Sequence, residues 1–146
     1  MRVVLVEPDD PAMTADVLPV LAELRPHLTA ASLAAIYAEG WPQGLRFSAA
    51  YDDNGRCVGI AGWRIIASTH PVRKLSVDDL VTTSNSRSTG VGSALLADLE
   101  EKAIEAQCSM LDLDSAVHRF DAHRFYLRER MHIAAHHFVK LLSATT

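Results

Sequence analysis

Cysteine is scarce in this sequence: Cys57 and Cys108 are the only two in 146 residues. They lie far apart, form no metal-ligand spacing, and read as reduced core residues of a cytoplasmic protein. Long apolar runs are also missing; each is interrupted too early to span a bilayer. The opening MRVVLVEPDD lacks the long apolar core and small-residue cleavage site of a signal peptide. There is no surplus of positive charge. A formal net charge of -4 argues against broad nucleic-acid binding, while leaving a cationic substrate open. Repeats, low-complexity tracts and linkers are absent, so residues 1–146 are expected to form a single domain. What is present is an ordinary globular balance, 49% apolar and 22% charged, with enough chain for a sizeable core.

Val3–Val6 is a β-branched run ended by Glu7-Pro8, which predicts a first strand. Within Pro11–Arg25, Val17, Leu18, Leu21 and Leu24 recur at helical spacing; Pro19 either kinks this helix or marks its true first turn, and Pro26 closes it. Thr29 is an N-cap for a second helix, Ala30–Glu39, which ends at Gly40. Beyond the loop Trp41-Pro42-Gln43-Gly44, the strand-like runs Leu45–Tyr51 and Arg56–Ile66 flank Asp52-Asp53-Asn54-Gly55, a hairpin signal. Gly59 and Gly62 in the second run mark a bulge or a bend. Ser68-Thr69-His70-Pro71 turns the chain into a fourth strand, Lys74–Thr82.

A third helix, Ser93–Gln107, sets Leu95, Leu99, Ala103 and Ala106 on one stripe and Asp98, Glu101, Lys102 and Glu105 on the other. Ser109–Val117 alternates like a strand. Phe120–Arg130 is a short amphipathic helix anchored by Phe125 and Leu127, and Ile133–Leu142 is a final strand. The expected order is β-α-α-β-β-β-α-β-α-β.

The junction between the fourth strand and the third helix organises the rest. Val81–Ala97 reads VTTSNSRSTGVGSALLA, with Arg87, Gly90 and Gly92 in the pattern R-x-x-G-x-G. Glycines there free the backbone and leave no side chain over the amides, and the first N–H groups of the helix point outward at the positive end of its dipole. Such a place suits a phosphate or pyrophosphate. A P-loop needs Lys-Ser/Thr after its last glycine, and Gly92 is followed by Ser93-Ala94. A dinucleotide fingerprint needs a third glycine where Leu95 stands. A βα turn with no ligand remains open.

Arg87-Ser88-Thr89-Gly90-Val91-Gly92 is similar, without a gap, to the acyl-CoA pyrophosphate loop of the GNAT family of N-acetyltransferases, Q/R-x-x-G-x-G/A. The resemblance extends to SVDDLVT before the loop, LDLDSAV after it and AHRFYLRERMHIAAHHFVK near the end, so that it covers roughly Leu45 to Lys140. Ala122-x-x-Phe125-Tyr126 resembles the family's A-x-x-L/F-Y motif. Arg130-Met131 departs from the family's frequent Gly-Phe, which bears on the shape of the last turn. Arg119 departs from its frequent Asn, which bears on one CoA contact. The resemblance implies an α/β fold with a central, mostly antiparallel sheet whose fourth and fifth strands splay, flanked by the four helices predicted above.

It also implies acetyl-CoA as co-substrate, with its pyrophosphate on the amides of Arg87, Ser88, Thr89, Gly90, Val91, Gly92 and Ser93 and its pantetheine arm along Leu80, Val81 and Thr82. A strand amide near Asp79 would hold the thioester oxygen. Tyr126 is implied as the acid that protonates the leaving thiolate; the competing role is a ring filling an interface. Asp78 and Asp79 are candidates for binding or deprotonating the amine, VDDL being similar to a segment of polyamine acetyltransferases. As neighbours on a strand they are expected to point to opposite faces, and either one also fits a solvated carboxylate. Ser115 either bonds the pantetheine or caps a turn, and Asp112 and Asp114 fit a half-exposed strand.

The acceptor is implied to be a primary amine of a small molecule or a protein. Its pocket would come largely from Arg25 to Gly44, where Trp41 either lines it or anchors the loop. His118 and His123 are a base, a substrate contact or plain surface residues. His132 and His136 stand at i, i+4 on a predicted strand, where that spacing does not bring ligands together, so no metal site is expected. A homodimer paired through the final strand is a further expectation of the fold, though no pattern here carries it. A non-catalytic acyl-CoA-binding domain and a plain interaction module are the rival classes.

Overall fold

The computed structural model describes residues 1–87 and 89–143. The chain divides into two compact units, Met1–Leu113 and Asp114–Thr146. The first holds a five-stranded sheet in the order β1-β2-β3-β4-β5, with β1 Arg2–Val6, β2 Arg46–Tyr51, β3 Cys57–Ala67, β4 Arg73–Thr82 and β5 Met110–Leu113. All neighbours are antiparallel except β4 and β5, which are parallel. Its helices are α1 Leu18–Leu24, α2 Ala30–Gly40 and α3 Val91–Glu105. The second unit holds α4, Phe120–Arg128.

Pro19 sits in the first turn of α1, where its missing N–H costs nothing, and one wider turn, Met13–Val17, leads into it. Thr29 and Ser32 form a reciprocal capping box that starts α2. Tyr37 on α2 is fully buried. Its hydroxyl donates to the Val6 carbonyl at 2.6 Å and accepts from the Phe47 amide at 3.2 Å, tying the helix to β1 and β2. Trp41 stacks edge-on against Tyr37 and lies under the Arg46 guanidinium, so it anchors its loop.

Cross-strand partners share a face of a sheet. Val6, Phe47 and Gly62 line up across β1, β2 and β3, beside a second row of Val4, Ala49, Ile60 and Val81. Most of these pack into one core with Val20, Leu21, Leu33 and Tyr37 from α1 and α2. On the other face α3 buries Val91, Leu95, Leu96, Leu99 and Ala103 against the sheet. It comes so close that a Cβ on Gly59 would stand 2.6 Å from Val91 and 2.9 Å from Leu95. Gly59 therefore serves a close approach of the helix. The irregularity expected in this strand appears beside both glycines: Ala50 pairs with Gly59 and Tyr51 with Cys57, leaving Val58 as an extra residue on β3, and a second register shift falls after Gly62.

Here Gly62 pairs with Asp79, yet the next residue, Trp63, pairs with Val77, leaving Asp78 without a partner of its own. This is a β-bulge, one extra residue on β4. It resets the alternation: Leu75 and Val77 share the α3 face with Ile65 and Trp63, whereas Asp79 and Val81 share the α1 face with Gly62 and Ile60. The bulge also corrects the expectation that Asp78 and Asp79 point to opposite faces.

The expected strand Ser109–Val117 is shorter, Met110–Leu113. The expected final strand Ile133–Leu142 is not formed: these residues carry no regular structure and are exposed. A strand needs a partner ladder, and none is paired with it among the described residues.

Deleting Asp78 removes the bulge while leaving every other β4 side chain on its present face; deleting Leu80 moves Val81 out of the core face. Urea unfolding should show the first deletion costing about 1 kcal/mol and the second more than about 4 kcal/mol. Equal losses would mean that the extra residue does not set the alternation.

Candidate active site

Pairing between β4 and β5 runs from Lys74↔Met110 to Val77↔Leu113 and stops, while β4 continues to Thr82. From Asp78 onward β4 has no strand on that side among the described residues. The Thr83 amide donates to the Val58 carbonyl at 2.9 Å, so the antiparallel alternation makes Val81 with Ile60 a hydrogen-bonded pair. The N–H and C=O groups of Leu80 and Thr82 then face away from β3, along the open edge, and both residues are half-buried. An extended ligand with amides of its own can pair with such an edge as another strand would. Asp112 is occupied elsewhere, accepting from Lys74 at 2.7 Å and Ser76 at 2.8 Å.

Past Thr83 the chain makes one tight turn, Ser84–Ser86, whose first amide donates to Glu23 at 3.0 Å. Arg87 is extended and exposed, and Thr89 donates its hydroxyl to the Ser86 carbonyl. Ser88 lies outside the described residues. Gly90 caps α3 with φ of 89°, a left-handed conformation that glycine adopts without strain, and a Cβ there would meet nothing within 4 Å. Its carbonyl accepts the first helical bond, from Ala94. Gly90 has no side chain to cap the helix, and no acidic residue sits in its first turn to cancel the dipole. Val91 is buried against β3, so its side chain fixes the helix start. Gly92 and Ser93 complete the turn.

On the α1 face, Arg25 at the end of α1 holds Asp79 at 2.9 Å, and Arg64 on β3 holds Asp78 at 2.9 Å. The bulge places these two ion pairs side by side. All four side chains keep some exposure, from 16% for Asp79 to 48% for Arg25, and such pairs contribute about 0–1 kcal/mol each. Neither arginine follows from a local motif; the one available signal was Arg64, a charge inside the apolar run GIAGWRII. Burial pushes the Cys57 thiol up to about 11, which keeps it protonated at neutral pH.

In the second unit, Tyr126 is half-buried on α4, and this burial raises its phenol above the usual value of 10.0; the charge and hydrogen bond of Arg119 pull it back. Tyr126 is therefore protonated at neutral pH. Ser115, two residues past β5, has a buried hydroxyl with no hydrogen-bond partner among the described residues. An orphaned polar atom of this kind costs about 1–3 kcal/mol unless a ligand or water meets it. His123 is engaged with the Ala116 carbonyl at 2.9 Å, and His118 is exposed. Among the described residues no three His, Cys, Asp or Glu side chains gather as a metal site.

The end of α4 keeps a familiar shape with an unusual residue. The Met131 amide bonds the Tyr126 carbonyl at 3.0 Å and the Arg130 amide bonds Leu127 at 3.1 Å, the paired bonds of a Schellman turn. Arg130 takes φ of 67°, the conformation that a glycine would hold more easily.

Comparison with known proteins follows this geometry. The sequence profile of the Acetyltransferase (GNAT) family matches residues 18–131. The chain is 34% identical over 90 residues to the aminoalkylphosphonate N-acetyltransferase of Salmonella typhimurium, covering 61% of this chain and 58% of that protein. It is 42% identical over 59 residues to the N-acetyltransferase YhdJ of Bacillus subtilis, covering 40% and 42%. The chain thus spans about half the length of these curated relatives. In three dimensions it is similar to a ribosomal-protein-alanine N-acetyltransferase from Brucella melitensis biovar Abortus, with a TM-score of 0.81, 18% identity and coverage of 97% of this chain and 100% of that one. At that identity the likeness speaks for the fold alone.

Replacing the strained cap, Arg130→Gly, should raise the stability of the protein by about 0.5–1 kcal/mol, read as a higher thermal midpoint. A lower midpoint would mean that the Arg130 side chain contributes more than its backbone costs.

Proposed function

The chain belongs to the GNAT acetyltransferase family, and on that premise we propose that it is a single cytoplasmic domain that moves an acetyl group directly from acetyl-CoA to the primary amine of a small molecule or protein. One observation carries the proposal above the others: the open edge of β4 runs directly into a glycine-capped helix start. That juxtaposition suits one ligand with an amide-bearing arm and a pyrophosphate, which is the chemistry of CoA.

The amides from Arg87 to Ser93 and the Arg87 guanidinium would hold the pyrophosphate, with Ser88 included on sequence grounds alone. Leu80 and Thr82 would bond the pantetheine through their outward N–H and C=O groups, with Val81 between them seated in the core, and Ser115 would add a contact to it on sequence grounds alone. A β4 amide near Asp79 would stabilise the negative charge that develops on the thioester oxygen. The amine must shed a proton before its nitrogen attacks the carbonyl carbon, and Asp78 or Asp79 would take it, directly or through water. A C–N bond forms, the C–S bond breaks, and the departing sulfur takes its proton with Tyr126 as donor. With Cys57 protonated, transfer without an acyl-enzyme is the simpler course. The Salmonella relative is named for small amine acceptors, which favours a small molecule over a protein.

A domain that only bound acyl-CoA would need the loop but not Tyr126. Calorimetric titration should give acetyl-CoA binding on the order of micromolar, lost in Gly90→Glu, which puts a strained, negatively charged side chain over the loop. Tyr126→Phe should keep that binding and lower kcat by about 100-fold or more. Wild-type protein that binds no acetyl-CoA would sink the proposal. Unaltered turnover in Tyr126→Phe would remove the acid role.

A further inference from the structure

We propose that the acceptor is a compact zwitterion, a primary amine with an anionic group a few bonds from its nitrogen, recognised by Asp78, Asp79, Arg25 and Arg64 around the β4 bulge. This deepens the acetyltransferase reading and rests on it.

The bulge sets two carboxylates side by side on the α1 face, at the point where the open edge of β4 begins. Each meets a guanidinium from a different element, Arg25 from the end of α1 and Arg64 from β3. The four charges sum to zero, which decides what can bind. A diamine or polyamine finds no surplus carboxylate here and meets two guanidinium groups. An amine with a neutral tail separates an Arg from its Asp and gives the Arg nothing in return. A zwitterion exchanges partners without loss: its ammonium takes the carboxylates and its anion takes the guanidinium groups.

Two features make that exchange feasible. The pairs are partly exposed and therefore weak, so opening them costs little. Arg64 engages Asp78 through Nε alone, so among the described residues both its Nη groups remain for an anion. A planar fork of that kind matches a carboxylate, sulfonate or phosphonate oxygen pair. Arg25 lies at the start of the segment from which the acceptor pocket was expected, and its side chain reaches the strand that would carry the thioester. The specificity device thus joins the first helix to the reacting strand.

The test is the initial rate of CoA release at saturating acetyl-CoA with four amines that share a two-carbon chain: ethylamine, 1,2-diaminoethane, 2-aminoethylsulfonate and 2-aminoethylphosphonate. Each rate is referred to the fraction of neutral amine. The two amines with anionic tails should lead in kcat/KM by at least about tenfold, and Arg64→Gln should reduce that lead by about tenfold, chiefly through KM, with partial recovery in Arg64→Lys. A preference for ethylamine or the diamine, or no turnover of any of the four, would overturn the proposal. So would an equal loss for all four amines in Arg64→Gln, which would assign the arginine a structural role. Acetyl-CoA binding by the same protein separates the two failures: binding without a zwitterion preference sinks this inference alone, and no binding sinks the acetyltransferase reading with it.

Discussion

One residue too many in β4 governs this site. A strand that carried Val77 and Asp79 in plain alternation would put them on one face, and either Leu75 and Val77 or Val81 would lose its core. Inserting Asp78 lets the lower half of β4 pack under α3 while the upper half packs under α1. The same insertion coincides with the end of the β5 ladder, and a bulge increases local twist, so the two strands part at the point where the alternation changes. The open backbone edge, the two adjacent carboxylates and the reach of Arg25 and Arg64 all descend from that one unpaired residue.

The helix that supplies the loop amides is held by a complementary device. Gly59 has no side chain, and Val91 and Leu95 of α3 occupy the space a Cβ would take. A helix packed this close to β3 has its first turn fixed in position relative to β4, one strand away. Gly90 then needs only a left-handed backbone to turn the chain from the edge into the helix. The two glycines act differently: Gly59 yields space and Gly90 yields conformation. Neither role requires the other, so the close packing of the helix and the openness of the loop above Gly90 are set independently.

Much of this was legible in the sequence because it is local. The N-cap at Thr29, the first-turn alternative for Pro19, the turn at Asp52–Gly55 and the glycine cap of α3 depend on neighbours a few residues away, and each appears near its expected place. The bulge did not follow from the sequence, because register is a relation between two strands; the run VDDLV breaks the apolar–polar alternation at Asp78-Asp79, but that break alone does not say how the partner strand meets it. The pairing of Asp78 with Arg64 and of Asp79 with Arg25 spans 14 and 54 residues of chain, and no periodicity encodes it. Ile133–Leu142, expected as a strand, carries no regular structure, since a stretch of sequence supplies one side of a ladder only. Arg130 shows a third kind of limit, since the turn geometry survived the loss of the residue type that usually announces it.

The position of Arg119, where the family often has Asn, bears on how Tyr126 would work in the proposed reaction. A phenol held above its usual 10.0 is a weaker acid than an ordinary thiol near about 8.5. Full transfer of the tyrosine proton to a departing thiolate is therefore uphill by at least about 2 kcal/mol. Burial alone would widen that gap; the Arg119 charge and hydrogen bond narrow it, moving phenol and thiol toward a match. The better the match, the more strongly a shared proton stabilises the sulfur as the C–S bond lengthens. The amine supplies a proton in the same reaction, so Tyr126 need only lend its own during the transfer. In the proposed reaction Arg119 would thus act on the electrostatics of the acid, a different role from the CoA contact expected of an asparagine there.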